Sequence, residues 1–86
     1  MNEFKELREN IDSLINEIKS WIKKKSIFES MQRIEKVNEL LTKLKQMSEG
    51  EIQERVVLNR TFELESLAKK IDEILSKREA GKKEDG

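Results

Sequence analysis

SEGEIQERVVLNRTFELESLAKKIDEILSKRE, residues Ser48–Glu79, is the stretch whose pattern decides the fold. Placed at 100° per residue, Val57, Leu64, Leu67, Ala68, Ile71, Ile74 and Leu75 fall within an arc of roughly 120°, the width of one core-facing helix stripe. Leu58 and Phe62 lie outside it, pointing roughly 150° from its centre, and their spacing of four stacks them on one another. A helix with one apolar face and a second apolar pair behind it needs two partners. These are either two helices of the same chain, or one such helix and another protein.

Upstream, residues from about Ile27 to Met47 form a second helical pattern. Ile27, Ile34, Val37, Leu41 and Leu44 make its stripe, which Met31 extends on one edge and Leu40 and Met47 on the other. An apolar arc of roughly 200° predicts contact with two neighbours at once, as in a three-helix bundle. The first pattern runs from about Glu3 to Lys25, with Asn2 as N-cap. Phe4, Leu7, Ile11, Leu14, Ile18 and Trp21 recur at spacings of three and four, Ile15 and Ile22 widen the stripe, and Phe4 and Trp21 are expected in the core. Glu3, Glu6, Glu9 and Asp12 lie at its start and Lys23, Lys24 and Lys25 at its end, the order that the helix dipole favours.

The breaks are read from phase and capping. The second stripe sits roughly 130° round from where the first would continue, so a turn at Lys25 and Ser26 is needed for both to face one core. Ser26 with Glu29 has the spacing of a capping box, and Ser48 with Glu51 repeats it. Gly50 can take the left-handed conformation that ends a helix. Helices over about 3–25, 27–47 and 51–79 are therefore expected, in an all-α, antiparallel, up-down-up three-helix bundle. Residues 80–86 are expected to be a disordered tail.

The chain has 86 residues, enough for one small domain of modest stability. Charged residues make up 42% of it, and the periodic placement of the apolar remainder argues for helices over disorder. Eighteen basic residues balance eighteen acidic ones, so no net field draws the chain to nucleic acid or an anionic membrane. Neither is expected as a partner. Lys23 to Lys25 lack the aromatic or arginine neighbours of a nucleic-acid patch and read as a solvated helix end. No uncharged run approaches the roughly 20 residues of a membrane span. The amino terminus lacks the basic start and apolar core of a secretion signal, and there is no cysteine; a cytoplasmic setting is expected.

Enzyme chemistry finds little to use. Without His, Cys or Tyr, a nucleophile and its base would have to come from Ser or Thr with Lys, and no strained turn or motif flags such a pair. Glu35, Glu39, Asp72 and Glu73 lie on faces outside the stripes, away from any inward-facing metal centre. The three glycines are isolated and form no phosphate loop. No catalytic, cofactor or metal site is expected.

Glu39, Leu40, Leu41, Thr42 and Lys43, followed by Glu49, Gly50 and Arg55, resemble part of the BAG domains over about 20 residues. Those three-helix modules contact the ATPase domain of the seventy-kilodalton heat-shock chaperones, so the resemblance implies a bundle that binds a chaperone. The closely spaced basic pair and following glutamine of that family's last helix are missing here.

The expected function is a non-enzymatic interaction module, an adaptor, subunit or small regulator that offers a helix face to a protein partner. Leu58 and Phe62 would be the centre of that face, with Arg55, Glu65 and Lys69 as its charged rim. Self-association into a homodimer, through the second and third helices, is the alternative that the same residues serve.

Overall fold

The computed structural model describes residues 2–85, with side chains through Arg78. Asn2 starts the first helix by accepting the Lys5 backbone N–H on its side-chain oxygen at 3.1 Å, the N-cap expected from the sequence. Helix α1 spans Glu3–Lys23, α2 Ile27–Met47 and α3 Gly50–Asp85, and the described residues contain no strand. Together they make the antiparallel up-down-up bundle. The expected disorder of residues 80–86 falls on positions whose side chains are not described, and Gly86 lies outside the described residues.

α1 stops two residues before its expected end because the chain turns through Lys25 with a positive φ of 60°. The Lys25 N–H donates to the Ile22 carbonyl and the Ser26 N–H to the Trp21 carbonyl, each at 2.9 Å. This pair of bonds is the Schellman closure, which satisfies carbonyls that the helix end would otherwise leave open. Glycine is the usual residue there, since a Cβ costs about 1 kcal/mol or more in the left-handed region. Lys25→Gly should therefore stabilise the chain by about 0.5–1 kcal/mol after glycine's greater unfolded-state entropy is deducted. Thermal unfolding should show a rise of a few degrees; no rise would mean that the lysine is not strained at this turn.

Neither capping box forms as the sequence suggests. Ser26 holds the N-cap position of α2, but its side chain makes no capping bond, and Glu29 pairs with Arg33 one turn on. The polar contact at this end belongs instead to Ser30, fully buried, whose hydroxyl donates to the Ser26 carbonyl at 2.8 Å. At the next turn the Ser48 hydroxyl donates back to the Lys45 carbonyl, closing α2, and the Gln53 side chain accepts the Glu49 N–H at 2.8 Å. Gly50 does take a positive φ, 79°, but as the first residue of α3.

The core is one cluster drawn from all three stripes: Ile11, Ile15 and Ile18, then Val37, Leu41 and Leu44, then Val57, Leu64 and Leu67. Phe4, Leu7, Leu14, Ile22, Ile34 and Leu40 close over it, and Ile71 is also buried. α1 and α3 run in the same direction, so Asp12 meets Arg60 and Lys19 meets Glu63 at 2.8 Å. Their seam is thus edged by ion pairs, with the apolar layer beneath. The Arg78 guanidinium reaches the Lys25 carbonyl at 3.0 Å, which brings α3 level with the first turn seven residues before its own end. With 21, 21 and 36 residues, the helices are about 32, 32 and 54 Å long, and the extra length of α3 lies at its C-terminal end.

Candidate functional site

Burying Val57, Leu64, Leu67 and Ile71 fixes the rotation of α3, and that rotation turns Leu58 and Phe62 outward. Leu58 is 53% exposed and Phe62 61%. Arg55, Glu65 and Lys69 are exposed too, as is Glu51 one turn before Arg55. From Glu51 through Arg55, Leu58, Phe62 and Glu65 to Lys69 the spacings alternate four and three. All six therefore lie within an arc of roughly 80° on the side of α3 facing away from the core. The structure brings every residue expected at this face onto one line. None of its four charged groups belongs to an ion pair among the described residues.

The surroundings of the pair are partly apolar. Leu58 borders a recess with Val57, Thr61, Lys45 and Ser48 at the seam between α2 and α3. Phe62 lines a second recess with Glu65, Ser66 and Lys69. Ile52, one turn from the line, is the most exposed large apolar residue described, at 83%, and half-buried Val56 adjoins it.

Two apolar positions on α2 depart from expectation. Met31 is exposed instead of extending the core arc. Phe28, three residues before it, is also exposed and went unassigned in the sequence, although its place next to Ile27 sets it about 100° off that stripe. Met47 is half-buried and lines a cleft with Phe4, Glu49 and Gln53 at the end where α1 begins.

Trp21 is not in the core. It is half-buried at the margin of α1, with the Lys24 ammonium 5.1 Å and the Arg33 guanidinium 5.5 Å from its ring centroid. Arg33 also pairs with Glu29 and, at 3.6 Å, with Glu17 of α1, so the ring and two carboxylates hold one guanidinium between α1 and α2. A cation over an indole face contributes about 0.5–1 kcal/mol where water reaches it. Trp21→Ala should cost about 1–2 kcal/mol, well below the 3–5 of a fully packed aromatic. Its emission maximum should lie between those of buried and free tryptophan; a fully blue-shifted maximum would place the ring inside after all.

Glu35, Glu39, Asp72 and Glu73 are all exposed. Among the described residues no group of three carboxylate, histidine or cysteine side chains is placed to hold a metal ion. None of the described helices is long and apolar enough to cross a membrane. No protein-family model matches the sequence, and no curated protein or solved structure matches the chain.

Proposed function

We propose that this chain is a non-enzymatic helical interaction module, an adaptor, subunit or small regulator that docks a protein through the outer face of α3. One observation carries the reading: Leu58 and Phe62, neighbours one turn apart, face solvent on the side of a helix whose other side already fills the core. Each bundle helix has its internal partners, so the fold does not require a large apolar pair on that surface. Exposed charges line both sides of the pair, the arrangement of an apolar centre with a polar rim. A cytoplasmic setting belongs to the same reading and accords with a cysteine-free chain. The chaperone-binding role implied by the BAG resemblance has less support, since α3 lacks that family's basic pair and following glutamine.

The test is a Leu58→Ser/Phe62→Ser variant compared with the unaltered chain in affinity capture from the native host. Proteins retained by the unaltered chain should be lost from the variant while its helical signal persists. Equal capture by both would remove this face as the docking surface.

A further inference from the structure

The outer face of α3 carries a charge order that is complementary to itself when reversed. We propose that its occupant is a second copy of this chain, with the two α3 helices antiparallel across a twofold axis. This inference rests on the docking role proposed above and names the partner.

Glu51, Arg55, Leu58, Phe62, Glu65 and Lys69 follow the four-three alternation of a coiled-coil seam, in which Arg55, Phe62 and Lys69 take one core position and Glu51, Leu58 and Glu65 the other. When such a seam meets its own reverse, residues of the first kind face residues of the second. One register sets Leu58 against the partner's Phe62, Arg55 against the partner's Glu65, and Glu51 against the partner's Lys69. Twofold symmetry then repeats all three pairings, so the apolar pairs lie at the centre and every flanking charge meets its opposite.

The alternative pairings bring less favourable contacts together. A parallel pairing sets Arg55 on Arg55, Glu65 on Glu65 and Lys69 on Lys69. Sliding the antiparallel pair by one heptad in one direction puts Leu58 against Lys69 and Phe62 against Glu65. Sliding it in the other puts Leu58 against Arg55 and Phe62 against Glu51. Like charges or charges on apolar groups appear in each, which gives the favoured register its specificity.

The tertiary structure leaves this seam free. All six residues are exposed, and their four charged groups have no ion pair within the described chain. The α3 charges that do pair, Arg60 with Asp12 and Glu63 with Lys19, stand on another side of α3 and join it to α1. The recess beside Leu58, bordered by Val57 and Thr61, adds apolar surface where the partner's Phe62 ring would come to rest. From Glu51 to Lys69 the seam is about 27 Å long. A contact of one helix on one helix is at the small end of specific interfaces, so the dimer should be weak, with a dissociation constant on the order of 10–100 μM.

Sedimentation equilibrium of the purified chain, from about 5 μM to about 1 mM, tests this. The weight-average mass should climb from that of a monomer toward twice that value. Arg55→Glu alone and Glu65→Arg alone should each weaken association by about tenfold or more, because each sets like charges opposite one another twice. The double variant Arg55→Glu/Glu65→Arg exchanges the charges and should associate within about threefold of the unaltered chain. Both substitutions are on exposed positions, and circular dichroism should show the same helical signal in all three variants. A monomer at every concentration overturns the proposal, as does a dimer indifferent to the single reversals or one that the double exchange fails to restore. If the purified chain is monomeric while capture still depends on Leu58 and Phe62, the self-pairing falls and the docking role stands. If capture is also indifferent to that pair, both fall.

Discussion

Leu44→Ala should lower the stability of the folded chain by about 3 kcal/mol, the largest single-residue effect expected on the fold. Leu44 is completely buried and belongs to the cluster that joins all three helices. Its removal leaves a cavity that stiff, interlocked helices can close only in part, so the loss exceeds simple transfer of the missing carbons to water. A domain of this size has about 5–10 kcal/mol to lose, and a 3 kcal/mol deficit corresponds to a fall of roughly 12–24 °C in melting temperature. Thermal unfolding followed by circular dichroism measures it directly. A shift of only one or two degrees would mean that Leu44 is not part of the packed interior.

The second large effect concerns association. Changing Leu58 and Phe62 together to Ser should reduce affinity for whatever occupies the outer face of α3 by at least roughly 30-fold, since one buried aromatic anchor alone can account for about 2 kcal/mol. The same substitutions remove little from the isolated fold, because both side chains remain largely in water when it forms. Binding measured by titration against the docked protein, or against the chain itself by sedimentation, should therefore collapse while the folded state survives. A loss below about threefold would show that the contact lies elsewhere, with exposed Phe28 and Met31 on α2 the next surface to alter.

Periodicity was enough to locate the three helices and most of the core. Val57, Leu64, Leu67 and Ile71 are buried because they share one face, and that face follows from spacing alone. The end of α1 was less legible, because the left-handed position of its closure holds Lys25 and no glycine marks it. Phase still put the turn within two residues. The capping boxes do not form although Ser26 and Ser48 have suitable spacings, because Glu29 pairs with Arg33 and Gln53 accepts the Glu49 N–H at the α3 start.

Trp21 shows where a single-helix reading stops. Its place on the edge of the α1 stripe is compatible with either burial or partial cover, and the cover comes partly from Arg33 on another helix. Arg60 is the converse case. It lies inside the arc of the α3 stripe, a charged residue where an apolar one would be expected, and its partner Asp12 is 48 residues away in sequence. The candidate docking face was legible for the opposite reason. Leu58 and Phe62 are conspicuous because they fall outside the α3 stripe as a stacked pair, and the structure leaves them exposed. Ile52 and Phe28 also fall outside their stripes and are exposed.

α3 has two distinct faces, one buried in the bundle and the other exposed, and the exposed face is the proposed docking surface. The melting temperature of the Leu58→Ser/Phe62→Ser variant, taken at a concentration low enough for the unaltered chain to be monomeric, tests this division most directly. Exposed substitutions of this kind change stability by about 0.5 kcal/mol or less each, so the melting temperature should stay within several degrees of the unaltered chain's. A fall comparable to that of Leu44→Ala would place Leu58 and Phe62 among the side chains that hold the bundle together and leave no separate docking face.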